Sequence, residues 1–125
     1  MQHDDLHDAQ VFLRDGRPLF FDWGDSCVAH PFLSMSVTLE GVIAWGVDDV
    51  QGSEDLAPYR AAYLAPYEAY AARPQLEEAL DLALRLGWIS RVLTIHSYAV
   101  TLDATEREQQ LAGMRVRIEM FRAGL

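Results

Sequence analysis

Asp5, Gln10 and Asp22 are the residues of this chain whose types and spacing could do chemistry together. A carboxylate can orient a hydroxyl. A carboxamide five positions later, and a second carboxylate twelve positions beyond that at the end of an apolar run, can hold a hard divalent cation such as magnesium. Phosphoryl transfer needs such a set, because the protein's part in it is mainly positioning and charge neutralisation. Each residue also has a plainer reading. Asp5 could sit in an N-terminal turn, Gln10 could bond loop backbone, and Asp22 could cap the turn after a strand. The three in register favour the chemical reading.

A hairpin must position them. Val11-Phe12-Leu13-Arg14 and Pro18-Leu19-Phe20-Phe21 flank Asp15-Gly16-Arg17, and Asp-Gly is a strong turn signal. Paired strands would carry Gln10 and Asp22 to the same open end, where both reach one cation.

The run His3-Asp4-Asp5-Leu6-His7-Asp8-Ala9-Gln10, then the hairpin, then Asp22-Trp23-Gly24-Asp25, resembles the catalytic loop and metal motif of the aminoglycoside phosphotransferase and choline kinase-like family. That family's loop has the form His-Gly-Asp-Leu-His-x-x-Asn. Asp4 stands at the family's Gly. Gln10 stands at its Asn, keeping the carbonyl but one methylene longer. The resemblance covers about the first 25 residues and implies a mostly α chain with one N-terminal β-hairpin, the C-terminal lobe of a protein-kinase-like α+β fold. It further implies one domain, with residues 1–30 carrying loop, hairpin and metal motif and 31–125 a helical subdomain. Asp5 is then the catalytic carboxylate, Gln10 and Asp22 the ligands of Mg2+ bound with ATP, and a small-molecule hydroxyl, aminoglycoside-like, the acceptor. The helices after residue 47 would shape the acceptor pocket. His3 and His7 read as scaffold. Asp25 is a further ligand or substrate contact, or more simply a turn or helix cap.

Composition limits the rest. All ten basic residues are arginine, so no lysine is present to hold the α/β-phosphates, and neither GxxxxGK nor GxGxxG occurs. An ATP-gripping N-lobe is therefore expected from a longer chain or a separate polypeptide, and a second copy of the chain is a further candidate to cover the face left open. The same absence supports an alternative, a free-standing kinase-like lobe acting as a non-catalytic binding or regulatory module. The net charge of −9 argues against nucleic acid and anionic membrane surfaces as partners. No signal peptide is legible. No uncharged apolar run approaches the ~18 residues of a membrane span, and the expected compartment is the cytoplasm. Cys27, the one cysteine, reads as an inert thiol.

The density of His3, Asp4, Asp5, His7 and Asp8 also fits a transition-metal site in a hydrolase. That reading is the weaker one, because only His30 and His96 remain to complete it and it leaves Asp22 unused.

Beyond Pro31 the pattern is helical. A buried helix is expected over 31–46, and a helix from about Glu54 to Ala72 with Ser53 as N-cap and an interruption at Pro66. Tyr59, Tyr63, Tyr67 and Tyr70 form a stripe that reads as core or interface. A long central helix is expected over about 75–97, and a last one to about Arg122 behind the capping box Thr105-x-x-Glu108.

Overall fold

Asp15 and Gly16 set the shape of the first element. Both have positive φ, 52° and 73°, the left-handed pair that a tight two-residue hairpin turn requires. Strand β1 (Val11–Arg14) therefore pairs antiparallel with β2 (Arg17–Phe20), in a register running from Arg14 opposite Arg17 to Val11 opposite Phe20. The structure is a computed structural model and describes residues 1–123; Gly124 and Leu125, the end of the expected helical region 31–125, lie outside them. The chain is mostly helical, with this hairpin near its N-terminus as the sheet among the described residues. It divides into two compact units, Met1–Leu84 and Arg85–Leu125.

In the first unit the expected helix over 31–46 is not continuous. A turn at residues 31–34 leads into a π-helical segment, Ser36–Val42, and then a 3₁₀ turn, Ile43–Trp45. Val37, Thr38, Gly41 and Val42 all weaken α-helical preference. Thr38 is also held from outside the segment, its hydroxyl donating to the Leu6 carbonyl at 2.8 Å. Burial is likewise narrower than the apolar run suggests. Phe32, Met35, Leu39 and Ala44 are buried, whereas Trp45 is exposed.

Helix α1 runs Ala57–Leu64, three residues later than expected. Its cap is Asp55, whose Oδ1 accepts the Ala57 N–H at 3.0 Å. Ser53 does not cap it; the Ser53 hydroxyl donates to the Trp45 carbonyl instead, at 2.9 Å. Pro58 in the first turn and Asp55 before it supply the start signal that Ser53 was expected to give. Pro66 ends α1 as expected, and a 3₁₀ turn follows over Ala65–Ala69. Helix α2 (Arg73–Ala99) then begins, its first part closing the core of this unit.

That core joins Phe32, Met35 and Leu39 to Leu64 of α1 and to Leu76, Leu80, Ala83 and Leu84 of α2. Of the tyrosine stripe, Tyr63 and Tyr67 pack against it, while Tyr59 and Tyr70 face out. Phe32 meets Tyr67 edge-on with centroids 4.9 Å apart, a preferred aromatic geometry. The Tyr63 hydroxyl donates to the Pro31 carbonyl at 2.8 Å, and burial pushes the phenol above its ordinary pKa. Outside the core, Arg60 of α1 bridges Glu77 and Asp81 of α2 at 2.8 and 2.6 Å. Glu77 also takes Arg73 at 2.8 Å.

The second unit holds the rest of α2 and helix α3 (Ala104–Ala123). Here the expected Thr105 cap gives way to Asp103. Its Oδ1 accepts the N–H groups of Thr105 and Glu106 at 2.9 and 3.0 Å, so the capping residue stands two positions earlier than read. Arg107 closes the end of α2 by donating to the carbonyls of Ala99 and Leu102. Arg85 lies over the Phe121 ring at 5.7 Å. Leu82, Leu86 and Leu93 of α2 are exposed. No described helix is long and apolar enough to cross a membrane.

Leu80 is fully buried, so Leu80→Ala should destabilise the chain by about 3 kcal/mol, read from its urea midpoint. The hydrogen bond from Arg60, with Arg73 beside it, holds the Glu77 carboxyl below its usual pKa. A lowered folded pKa gives stability that is complete above the unfolded value, ~4.3, and is lost as pH falls through the folded one. Glu77→Gln should therefore cost about 0.5–1 kcal/mol at neutral pH and progressively less in acid below about pH 4. Equal costs at neutral and strongly acid pH in urea titrations would contradict this account of the ion cluster.

Candidate catalytic loop and cation site

The loop that carries Asp5 is fastened at its start by Gln2. Its backbone exchanges hydrogen bonds with Cys27 at 2.9 and 3.1 Å. Its side chain takes the Ser34 N–H on Oε1 and gives an N–H to Cys27 Sγ. Gln2 is buried and Cys27 partly so.

His3 is the next fastening. The ring is buried, with Nδ1 accepting the Asp5 N–H at 3.3 Å, so the ring proton lies on Nε2. Nε2 in turn donates to the Phe21 carbonyl at 2.6 Å. His3 thereby joins the backbone of Asp5 to the far strand of the hairpin. Trp23 covers this contact, its ring centroid 5.0 Å from that of His3 and its indole N–H on the Phe20 carbonyl at 3.1 Å.

The hairpin ladder continues one step past the strands. The Phe21 N–H donates to the Gln10 carbonyl at 2.9 Å, which fixes Gln10 and the residue before Asp22 against each other. The expected juxtaposition at the hairpin mouth is therefore present in the backbone. Asp22 itself is left-handed, with φ 53° and ψ 61°, a region that aspartate enters more readily than most residues with a Cβ. It precedes the 3₁₀ turn Trp23–Asp25 but makes no capping hydrogen bond to it. The capping reading of Asp22 is thus overturned. One carboxylate oxygen lies over Gly24, 3.4 Å from where a Cβ on that glycine would stand. Asp25 is exposed within the turn.

Gln10 does not bond loop backbone through its side chain either. Its Nε2 lies 3.0 Å from His7 Nε2, and Asp8 Oδ1 lies 3.5 Å from His7 Nδ1. Asp5 is half-buried and Asp4, at the position of extra charge, is buried. His30 takes the Phe32 N–H on Nδ1 at 3.3 Å, and His96 is exposed.

Among the described residues no three His, Cys, Asp or Glu side chains gather where a metal could sit. The transition-metal reading of the loop fails for that reason, and because both ring nitrogens of His3 are used on backbone groups. What the mouth of the hairpin offers is one carboxamide oxygen and one carboxylate. Two hard oxygen donors fit magnesium, which fills its octahedron with water and phosphate oxygens. Beside the loop an open cavity of about 380 Å³ is lined by Asp8, Gly41, Val42, Trp45, Gly46 and Asp49. Its walls come from Asp8, the π-helical segment and the turns after it, and no residue of α1, α2 or α3 lines it.

No protein-family model, no curated protein and no solved structure matches the chain.

Three supporting residues, Gln2, Ser34 and Thr38, were not legible as such in the sequence. Their partners lie 25 to 32 positions away, and no local pattern announces contacts of that range. Removing the His3 ring should leave the Phe21 carbonyl without its partner. His3→Ala is expected to speed hydrogen exchange of the Phe21 amide about tenfold, while amides of α1 stay unchanged. Uniform acceleration throughout would instead mark His3 as a general core residue.

Proposed function

We propose that this chain is the catalytic C-lobe of an ATP-dependent phosphotransferase acting on a hydroxyl of a small molecule. The observation that carries the reading is the hydrogen bond from Phe21 to Gln10, which closes the hairpin so that Gln10 and Asp22 share its mouth. The link from Asp5 through His3 to Phe21 supports it further, because it ties the loop aspartate to the same point.

In this reading Asp5 orients the acceptor hydroxyl and receives its proton. Gln10, through Oε1, and Asp22 hold the cation. Magnesium with ATP would supply the transferable phosphoryl group and the positive charge that offsets the negative charge developing on it. The cavity beside the loop suits an acceptor that carries amines, because Asp8 and Asp49 are acidic and Trp45 presents an aromatic face.

The nucleotide-gripping lobe is a required partner in this proposal, since the chain has no lysine and no glycine-rich phosphate loop. The hairpin side exposes Phe12, Leu13, Phe20, Phe21 and Trp23, apolar surface that such a lobe would cover.

The test supplies that lobe, fused or in trans, and follows phosphate transfer from ATP to a panel of hydroxyl-bearing amines by mass spectrometry. Asp5→Asn should reduce transfer by about 10²–10⁴-fold without altering the fold. Undiminished transfer would remove Asp5 from the chemistry. No transfer by the unmodified chain would leave the non-catalytic module as the better description.

A further inference from the structure

We infer that His7 is the positioning residue that makes Gln10 a fixed oxygen donor, an inference that rests on the proposed role of Gln10 as a cation ligand. A glutamine has one more rotatable bond than an asparagine, so its carbonyl is harder to aim, and the entropy of fixing it opposes binding. The structure supplies a partner for the other end of the amide. Gln10 Nε2 lies 3.0 Å from His7 Nε2. A carboxamide nitrogen only donates, so His7 Nε2 is the acceptor and the ring proton lies on Nδ1. Nδ1 faces Asp8 Oδ1 at 3.5 Å, the side on which a carboxylate favours that tautomer.

The chain of contacts has one direction. Asp8 attracts the Nδ1 proton, His7 presents a bare Nε2, and Gln10 gives it an N–H. The amide oxygen is then the end left over, and it is the end a hard cation wants. Outer groups that orient a ligand in this way typically matter about 10–100-fold in metal affinity. His7 is half-buried, with its side chain about one-third exposed, so the ring is held by its surroundings without being part of the core. The longer side chain at position 10 and the imidazole three residues before it thus form one device.

The full chain can be tested with Mn2+ alone as the probe, at fixed pH. Paramagnetic broadening of the Gln10 side-chain amide and of the Asp22 and Trp23 backbone amides reads occupancy. His7→Ala should weaken Mn2+ binding about tenfold, and His7→Gln, which keeps an acceptor at similar reach, should recover part of the loss. In a Gln10→Asn background, where the side chain no longer reaches the ring, His7→Ala should change affinity by less than about twofold. Ring-nitrogen NMR shifts of the unmodified protein give a reading that needs no variant to fold. They should show Nδ1 protonated and Nε2 bare. A proton on Nε2 would mean that the ring donates to Gln10 Oε1, and would overturn the inference. So would equal Mn2+ affinities with and without the His7 ring. If the unmodified chain shows no broadening at Gln10 and Asp22, the cation-binding role of the site falls together with this inference.

Discussion

The hydrogen bond from His3 Nε2 to the carbonyl of Phe21 joins the two stretches that carry the candidate site residues. A two-stranded hairpin is marginal by itself in water, and this one exposes nearly every residue on both strands. Among the described residues no further strand pairs with it. Its orientation relative to the loop therefore depends on contacts at its open end. His3 provides them from a buried position, with Nδ1 on one segment and Nε2 on the other. The Phe21 N–H to Gln10 contact lies on the same residue. One residue, Phe21, thus has both backbone polar groups committed, and Asp22 begins where those commitments end.

The loop is supported from beneath by groups whose own elements are irregular. Thr38 reaches Leu6 from a π-helical turn, and Ser34 reaches Gln2 from the turn before it. The Ser34 contact is made by a backbone N–H within a turn, and the Thr38 contact by a side-chain hydroxyl. The segment is in turn set on the core by Phe32, Met35 and Leu39, and that core is closed by α1 and the start of α2, with Arg60 and Glu77 across their surface. Core side chains far from the loop thus bear on where it sits. Glycine matters in one further place. Gly46, with φ 58°, turns the chain under Ser53, whose Oγ would stand 2.6 Å from a Cβ there.

The carboxamide at position 10 shows how a change in side-chain length is absorbed locally. Its nitrogen is bonded to His7 while its backbone is held by Phe21. Both ends of the residue are constrained, and the carbonyl oxygen between them is the part with no hydrogen bond among the described residues. Asp22, with its left-handed backbone, carries its carboxylate over Gly24 without a capping hydrogen bond to the turn it precedes.

The hairpin was legible in the sequence because Asp15-Gly16 is a local signal whose left-handed geometry few other pairs adopt. Its register followed, and with it the placement of Gln10 against Phe21, the residue before Asp22. Pro66 marked a helix boundary for an equally local reason. Helix caps were less secure. Asp55 and Asp103 stood two residues from Ser53 and Thr105, and each can cap as well as its neighbour. What only the tertiary structure decided was everything that joins distant segments: the π-helical turn under Leu6, the burial of His3 and Asp4, and the bonds of Gln2. Such contacts depend on which surfaces meet when the core closes, and residue types along the chain do not encode that meeting at short range. Thus the composition and spacing of the loop set which groups were present, while packing decided which of them were tied to backbone.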